Sequence, residues 1–198
     1  PSPIINGEEV STVDYGMAGA LLMTADIEYQ GEWYPIHSFI CSSSLIAPDV
    51  IVTAANRELK GGGGVDGAVH KAAGPQLLES LKGFERCKTG NAVITDAFNL
   101  NAKYVIHAVG PIYKDGNHGE AGLLSSAYKR SIQLAKSVSA GSILFPAIST
   151  GVYRYPLEKA ARIAVDSILS AVTEFSFDGD VTIVCFDIET KSVFDALD

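Results

Sequence analysis

Residues 50–67 read Val50-Ile51-Val52-Thr53-Ala54-Ala55-Asn56-Arg57-Glu58-Leu59-Lys60-Gly61-Gly62-Gly63-Gly64-Val65-Asp66-Gly67. The β-branched run at the start predicts a buried strand. Asn56 stands at its carboxyl end. Four consecutive glycines then lead into a helical pattern whose first turn carries Asp66. Glycine lets a backbone approach a ligand closely, and the free N–H groups of a helix start attract phosphate. A strand, a glycine turn and a helix start together predict a diphosphate site at the carboxyl edge of an α/β sheet. The spacing excludes the two commonest versions. No Gly-Lys-Ser/Thr is present, and no G-x-G-x-x-G is followed by a ribose-binding acid on a second strand.

Outward from this stretch, strand and helix patterns alternate. Val65–Lys82 reads as one helix, and Ala92–Thr95 and Tyr104–Val109 as two strands with a turn between. Glu120–Ser137 follows as a helix, then Ser142–Phe145 as a short buried strand. In Leu157–Val172 the apolar residues line one helical face. Val181–Phe186 reads as a strand and Thr190–Leu197 as a closing helix. This alternation predicts a mixed, largely parallel sheet covered on both faces. The first 40 residues break the rhythm: they are strand- and turn-rich and carry no good amphipathic helix.

Composition narrows the function. A chain of 198 residues with 47% hydrophobic and 19% charged content suits one globular domain. No run reaches the ~18–20 apolar residues of a membrane span, and no basic region precedes an apolar core as in an export signal. The net charge of −8, from 23 acidic and 15 basic residues, argues against a nucleic-acid surface. An anionic ligand would therefore be held by backbone N–H groups and helix dipoles. Cys41, Cys87 and Cys185 are scattered, with no C-x-x-C, so no zinc site and no other metal or cofactor is expected. Free thiols fit a reducing, cytoplasmic location.

Asn56 through Gly67, followed by Ala68-Val69-His70-Lys71-Ala72-Ala73-Gly74, resembles the signature of macrodomains, which bind ADP-ribose. The resemblance continues through Cys87-Lys88-Thr89-Gly90-Asn91-Ala92, Lys103-Tyr104-Val105-Ile106-His107-Ala108-Val109-Gly110-Pro111 and Phe145-Pro146-Ala147-Ile148-Ser149-Thr150-Gly151-Val152-Tyr153. It runs from about residue 49 to residue 198. It implies a three-layer α/β/α macrodomain over residues 41–198, preceded by an atypical segment, residues 1–40. The Val65-Asp66-Gly67 form of the first loop is similar to the branch that hydrolyses mono-ADP-ribose from proteins and deacetylates O-acetyl-ADP-ribose.

The N-terminal segment carries a second resemblance. Pro3-Ile4-Ile5-Asn6-Gly7 and Cys41 through Ala55 are similar to a chymotrypsin-like serine protease up to its catalytic His. Asn56 stands in place of that His, and no Gly-Asp-Ser-Gly-Gly follows. Both general base and nucleophile are absent, so serine protease activity is not expected. Two explanations stand: chance convergence, or a hybrid chain joined at Thr53-Ala54-Ala55. In macrodomains an Asp ahead of this strand accepts a hydrogen bond from the adenine amino group. Alignment puts Ser42 there, and Asp26 lies some 16 residues too early.

Each site residue has an ordinary reading beside the functional one. Asn56 holds the distal ribose hydroxyls, or caps its own turn. Gly61, Gly62, Gly63, Gly64, Val65 and Gly67 cradle one phosphate, or form a surface loop. Asp66 complements a helix dipole, or, as the resemblance implies, assists the attacking water. Ser149, Thr150, Gly151, Val152 and Tyr153 form a second phosphate turn, with Tyr153 against the distal ribose. The resemblance implies that Phe186 stacks on adenine; its ordinary reading is a core aromatic at a strand end. His70, one helical turn after Asp66 on the same face, reads as a helix-surface residue or a general acid, and His107 as a satisfied core histidine. The partners expected are ADP-ribose or O-acetyl-ADP-ribose and mono-ADP-ribosylated proteins. The competing readings are an ADP-ribose-binding module without turnover, and a hybrid chain with an impaired pocket.

Overall fold

The computed structural model describes residues 48–197 in full and the backbone of four N-terminal strands, at residues 4–5, 8–9, 21–29 and 32–40. Strands β1 (Ile4–Ile5) and β2 (Glu8–Glu9) pair with each other as a small ribbon. The main sheet holds β3 (Leu21–Tyr29), β4 (Glu32–Ile40), β5 (Val50–Ala54), β6 (Ala92–Asp96), β7 (Tyr104–Ala108), β8 (Ser142–Pro146) and β9 (Asp180–Cys185). Their order is β3-β4-β9-β8-β5-β7-β6. The four inner junctions are parallel and the two outer ones antiparallel. The mixed, largely parallel sheet read from the sequence is therefore present.

Alternation along β5 and β7 sends side chains to two faces. Val52 and Ile106 face a core built with α3 (Glu120–Ser137) and α4 (Leu157–Phe175). Ile51 and Val105 face α1 (Gly64–Ala73) and α2 (Pro75–Leu81). Helix α5 (Ile188–Asp195) joins the α4 side, with Phe194 in that core. Asp187 caps α5, its Oδ1 accepting from the Thr190 N–H at 2.8 Å. These layers make the α/β/α sandwich.

One sequence expectation is corrected. Residues 65–82 are not one helix but two, because Pro75 has no N–H to continue the ladder and disfavours helical geometry at the residue before it. Gly74 takes φ +85° at the break. A Cβ there would meet Asn99 Nδ2 at 2.8 Å, so glycine is required on steric grounds as well.

The N-terminal strands adjoin the site edge. β4 runs parallel to β9, and its last residue, Ile40, pairs with Cys185, the residue before Phe186. Asp26 pairs with Pro35, one residue ahead of the Ile36–Val181 pair. Asp26 therefore lies level with the amino end of β9, at the edge opposite Phe186. Ser42 lies outside the described residues.

Candidate functional site

The carboxyl ends of adjacent parallel strands β5 and β8 carry the two loops. In the first, the Asn56 amide donates from Nδ2 to the Gly61 carbonyl at 2.6 Å, and Oδ1 accepts from the Lys60 N–H at 3.3 Å. Asn56 thus shapes the turn that leads into the glycines. Gly61 and Gly64 take positive φ, at +73° and +60°. Gly62, Gly63, Gly64 and Val65 are exposed. Gly67 faces inward onto the loop: a Cβ there would lie 2.4 Å from the Gly62 carbonyl oxygen. It lets the loop fold back over the first turn of α1.

Beneath this loop sits Asp66, 2% exposed. The Thr53 hydroxyl donates to its Oδ1 at 3.1 Å, and His70 Nε2, one turn along α1, is 3.7 Å from the same oxygen. Oδ2 is buried without a protein partner. It lies 3.6 Å from the position a Cβ on Gly62 would take, and so does Asn56 Nδ2. Asp66 Oδ2 and Asn56 Nδ2 therefore flank the same point of the loop. Burial raises the Asp66 pKa, opposed by His70 and by the Thr53 hydrogen bond.

His70 is not the helix-surface residue of its ordinary reading, and His107 is a core histidine but not a fully satisfied one. His70 is only 13% exposed at its side chain and faces Asp66. His107 pairs in register with Thr53 across β5 and β7, on the face toward α1. Its ring meets that of His70 edge-on, with centroids 5.9 Å apart. Nε2 lies 3.1 Å from Thr95 Oγ1, and Nδ1 is buried with no protein partner. The Thr95 hydroxyl donates to the Asp96 carbonyl at 3.1 Å. Its oxygen then accepts from His107, which puts the ring proton on Nε2 and leaves a lone pair on Nδ1. Burial, reinforced by the neighbouring His70, lowers the His107 pKa to about 3. Asp66, His70 and His107 each offer one donor atom within 4.8 Å of the others.

The second loop spans residues 147–156, ahead of α4. Buried Tyr128 braces its base, donating to the Pro146 carbonyl at 3.3 Å and accepting from the Ile148 N–H at 2.9 Å. Ser149 has φ +70°, and its buried Oγ has no protein partner. The Thr150 hydroxyl donates to the Ala147 carbonyl at 2.9 Å. Gly151 and Val152 are exposed, Val152 at 88%. Helix α4 begins at Leu157, after Pro156, so its N-terminus is set apart from Gly151. Tyr153 reaches toward the first loop. Its pKa is raised by burial and by the negative charges of Glu58 and Asp66.

A third segment, residues 109–119, closes against the second loop. The Tyr113 N–H donates to the Tyr153 carbonyl at 2.9 Å. A Cβ on Gly110 would lie 2.2 Å from Ser149 Oγ and 2.5 Å from Ile148 Cγ2. Glu120 anchors the segment's end by accepting from the N–H groups of Lys114, Gly116 and His118. Phe186 sits just past β9 with 84% of its surface exposed, beside exposed Ile188. It is not a core aromatic.

Fold and loops define a three-layer α/β/α domain with two glycine-bearing turns at one sheet edge, the first of them over a buried carboxylate. A family model described as "Macro domain" matches residues 52–164. The chain is 48% identical over 166 residues to the O-acetyl-ADP-ribose deacetylase of Escherichia fergusonii, which covers 82% of this chain and 94% of that one. Its fold is similar to the Oceanobacillus iheyensis macrodomain with ADP, at TM-score 0.80 and 35% identity over 90% of this chain and 95% of that one. It is also similar to the Trypanosoma brucei macrodomain in complex with ADP-ribose, at TM-score 0.70 and 37% identity over 75% and 62% of the two chains. The chain belongs to the macrodomain family. None of these relatives is a protease, and nothing among them supports the likeness of residues 1–55 to a chymotrypsin-like segment. No helix among the described residues is long and apolar enough to cross a membrane.

Proposed function

We propose that the protein binds ADP-ribose and hydrolyses acyl linkages to its distal ribose. The substrates are O-acetyl-ADP-ribose and mono-ADP-ribose on acidic side chains. The observation that carries this reading is the placement of Asp66. One carboxylate oxygen is tied down by Thr53, while the other is unpartnered beneath Gly62, beside Asn56 Nδ2. A carboxylate lowers affinity for a diphosphate, so its position here supports chemistry rather than binding.

In the reaction, the glycine turns at 61–64 and 149–153 hold the diphosphate through backbone N–H groups. Asn56 and Tyr153 hold the distal ribose, and Phe186 stacks on adenine. Water, held between Asp66 and a phosphate oxygen, attacks the ester carbonyl or ribose C1″. Asp66 or that phosphate oxygen takes the water proton, and the bond to the leaving oxygen breaks as that oxygen gains a proton. Nothing requires a covalent intermediate, since no nucleophilic side chain pairs with a base at the loops. Residues 41–198 carry this machinery, with the N-terminal strands as its flank; the location is cytoplasmic. The relatives named O-acetyl-ADP-ribose deacetylase support the substrate class.

Calorimetric titration with ADP-ribose, with ATP as the control nucleotide, tests the pocket. A saturable 1:1 isotherm for ADP-ribose alone is expected. No heat from a cooperatively folded protein would overturn the reading.

A further inference from the structure

We propose that Asp66, His70 and His107 form a reversible binding site for a divalent transition-metal ion of the zinc class. The donors come from two elements: Asp66 and His70 lie one turn apart on α1, and His107 projects from β7 beneath them. One donor atom from each falls within 4.8 Å of the others. A tetrahedral ion with bonds of ~2.0–2.1 Å spaces its ligand atoms ~3.4 Å apart, so side-chain shifts of roughly an ångström close the set. Two imidazoles and a carboxylate are the ligands such an ion takes, with a fourth position left for water.

Two further observations point to a ligand. His107 Nδ1 is fully buried and without a protein partner, and it carries a lone pair in the tautomer assigned from the Thr95 hydroxyl's hydrogen bond to the Asp96 carbonyl. Asp66 Oδ2 is a second acceptor left without a donor. Buried acceptors without protein donors, on two members of one three-residue cluster, suit a cation. The outer contacts match as well. A metal-bound imidazole usually donates its other ring nitrogen to a fixed acceptor, which Thr95 provides. A ligating carboxylate is itself hydrogen-bonded, here by Thr53. The sequence hid this site because it pairs no cysteines and joins residues 37 positions apart.

Occupancy takes Asp66 out of the reaction, so the site is inhibitory; this consequence rests on the hydrolytic reading above, while the metal site does not. The test uses the whole chain without nucleotide, titrated with Zn2+ in competition with a chromophoric chelator and with Co2+ followed by absorption. One ion per chain is expected, with cobalt ligand-field bands and no thiolate charge-transfer band. Thr95→Val, which frees the His107 ring, should weaken zinc ~10–100-fold. His107→Gln should abolish saturable binding.

No saturable binding, a thiolate band, or equal affinity in wild type and Thr95→Val overturns the site. Should His107→Gln fail to fold, Thr95→Val and the cobalt spectrum still decide. Zinc at saturating concentration should stop turnover and a chelator restore it. Full turnover with the ion bound overturns the inhibitory role and leaves the metal site standing.

Discussion

Asp66 sits where β5, β7 and α1 meet, with Thr53 and His107 on the strands and His70 on its own helix. An acid after four glycines stands out in one dimension, and so does an Asn at a strand end. What makes Asp66 unusual is that Thr53, His70 and His107 close around it. That depends on the register of β5 against β7 and on which face of α1 turns inward. Neither is encoded locally, so the sequence left His70 between a surface residue and a general acid and read His107 as satisfied. Asp66→Asn keeps the side chain's size and its acceptor for Thr53 while removing the carboxylate. Turnover should fall ~10²–10⁴-fold, the range for a lost acid–base group, with ADP-ribose affinity within a few-fold by calorimetry. Parallel loss of binding and turnover would assign Asp66 to the pocket instead of the chemistry. Thr53→Val should destabilise the fold by about 1–3 kcal/mol, because it leaves Oδ1 buried without its donor. Chemical denaturation measures this directly, and an unchanged midpoint would show that the hydroxyl is dispensable.

At the scale of elements, periodicity located every strand from β5 onward to within a residue or two, because alternation and helical spacing are local signals. It missed the Gly74–Pro75 break, since α1 and α2 both bury apolar residues against the same face and read as one stripe. It also could not tell which glycines serve ligand contact and which serve packing. Gly63 and Gly67 separate the two. A Cβ on Gly63 meets nothing within 4 Å, and its φ of −94° is open to any residue. A Cβ on Gly67 meets the Gly62 carbonyl oxygen at 2.4 Å, and backbone must move. Gly67→Ala should therefore destabilise by about 1–3 kcal/mol, which lowers Tm by roughly 2–12 °C in a domain of this size. It should also weaken ADP-ribose by displacing the loop. Gly63→Ala should leave Tm within about a degree or two of wild type. Equal Tm values for the two variants would remove the packing role assigned to Gly67.

For the whole molecule, the sheet order became readable only in three dimensions. Alternating β and α patterns predict a largely parallel sheet but not that β4 lies beside β9, which aligns Ile40 with Cys185 at the site edge. The same long-range closure governs acid stability. Glu120, 2% exposed, ties residues 114–118 to the start of α3. Burial alone would raise its pKa, but its own backbone N–H and those of His118, Lys114 and Gly116 outweigh this and hold it at about 2, below the ordinary 4.5. Asp49 links the starts of β5, β7 and β8 in the same way: its side chain pairs with Lys103 and accepts from the Gly141 N–H, and both contacts lower its pKa. The unfolded chain therefore takes up protons before the folded one does. Stability from these carboxylates is complete above pH 4.5 and declines as pH falls from there toward 2. Glu120→Gln removes one of these titrations. The variant should be less stable than wild type at pH 7, because a neutral amide accepts less strongly than a carboxylate. Its urea midpoint should then fall less steeply between pH 5 and pH 2.5, so the two curves converge in acid. Parallel curves across that window would show that the segment behind the second loop is held by its packing and not by the Glu120 carboxylate.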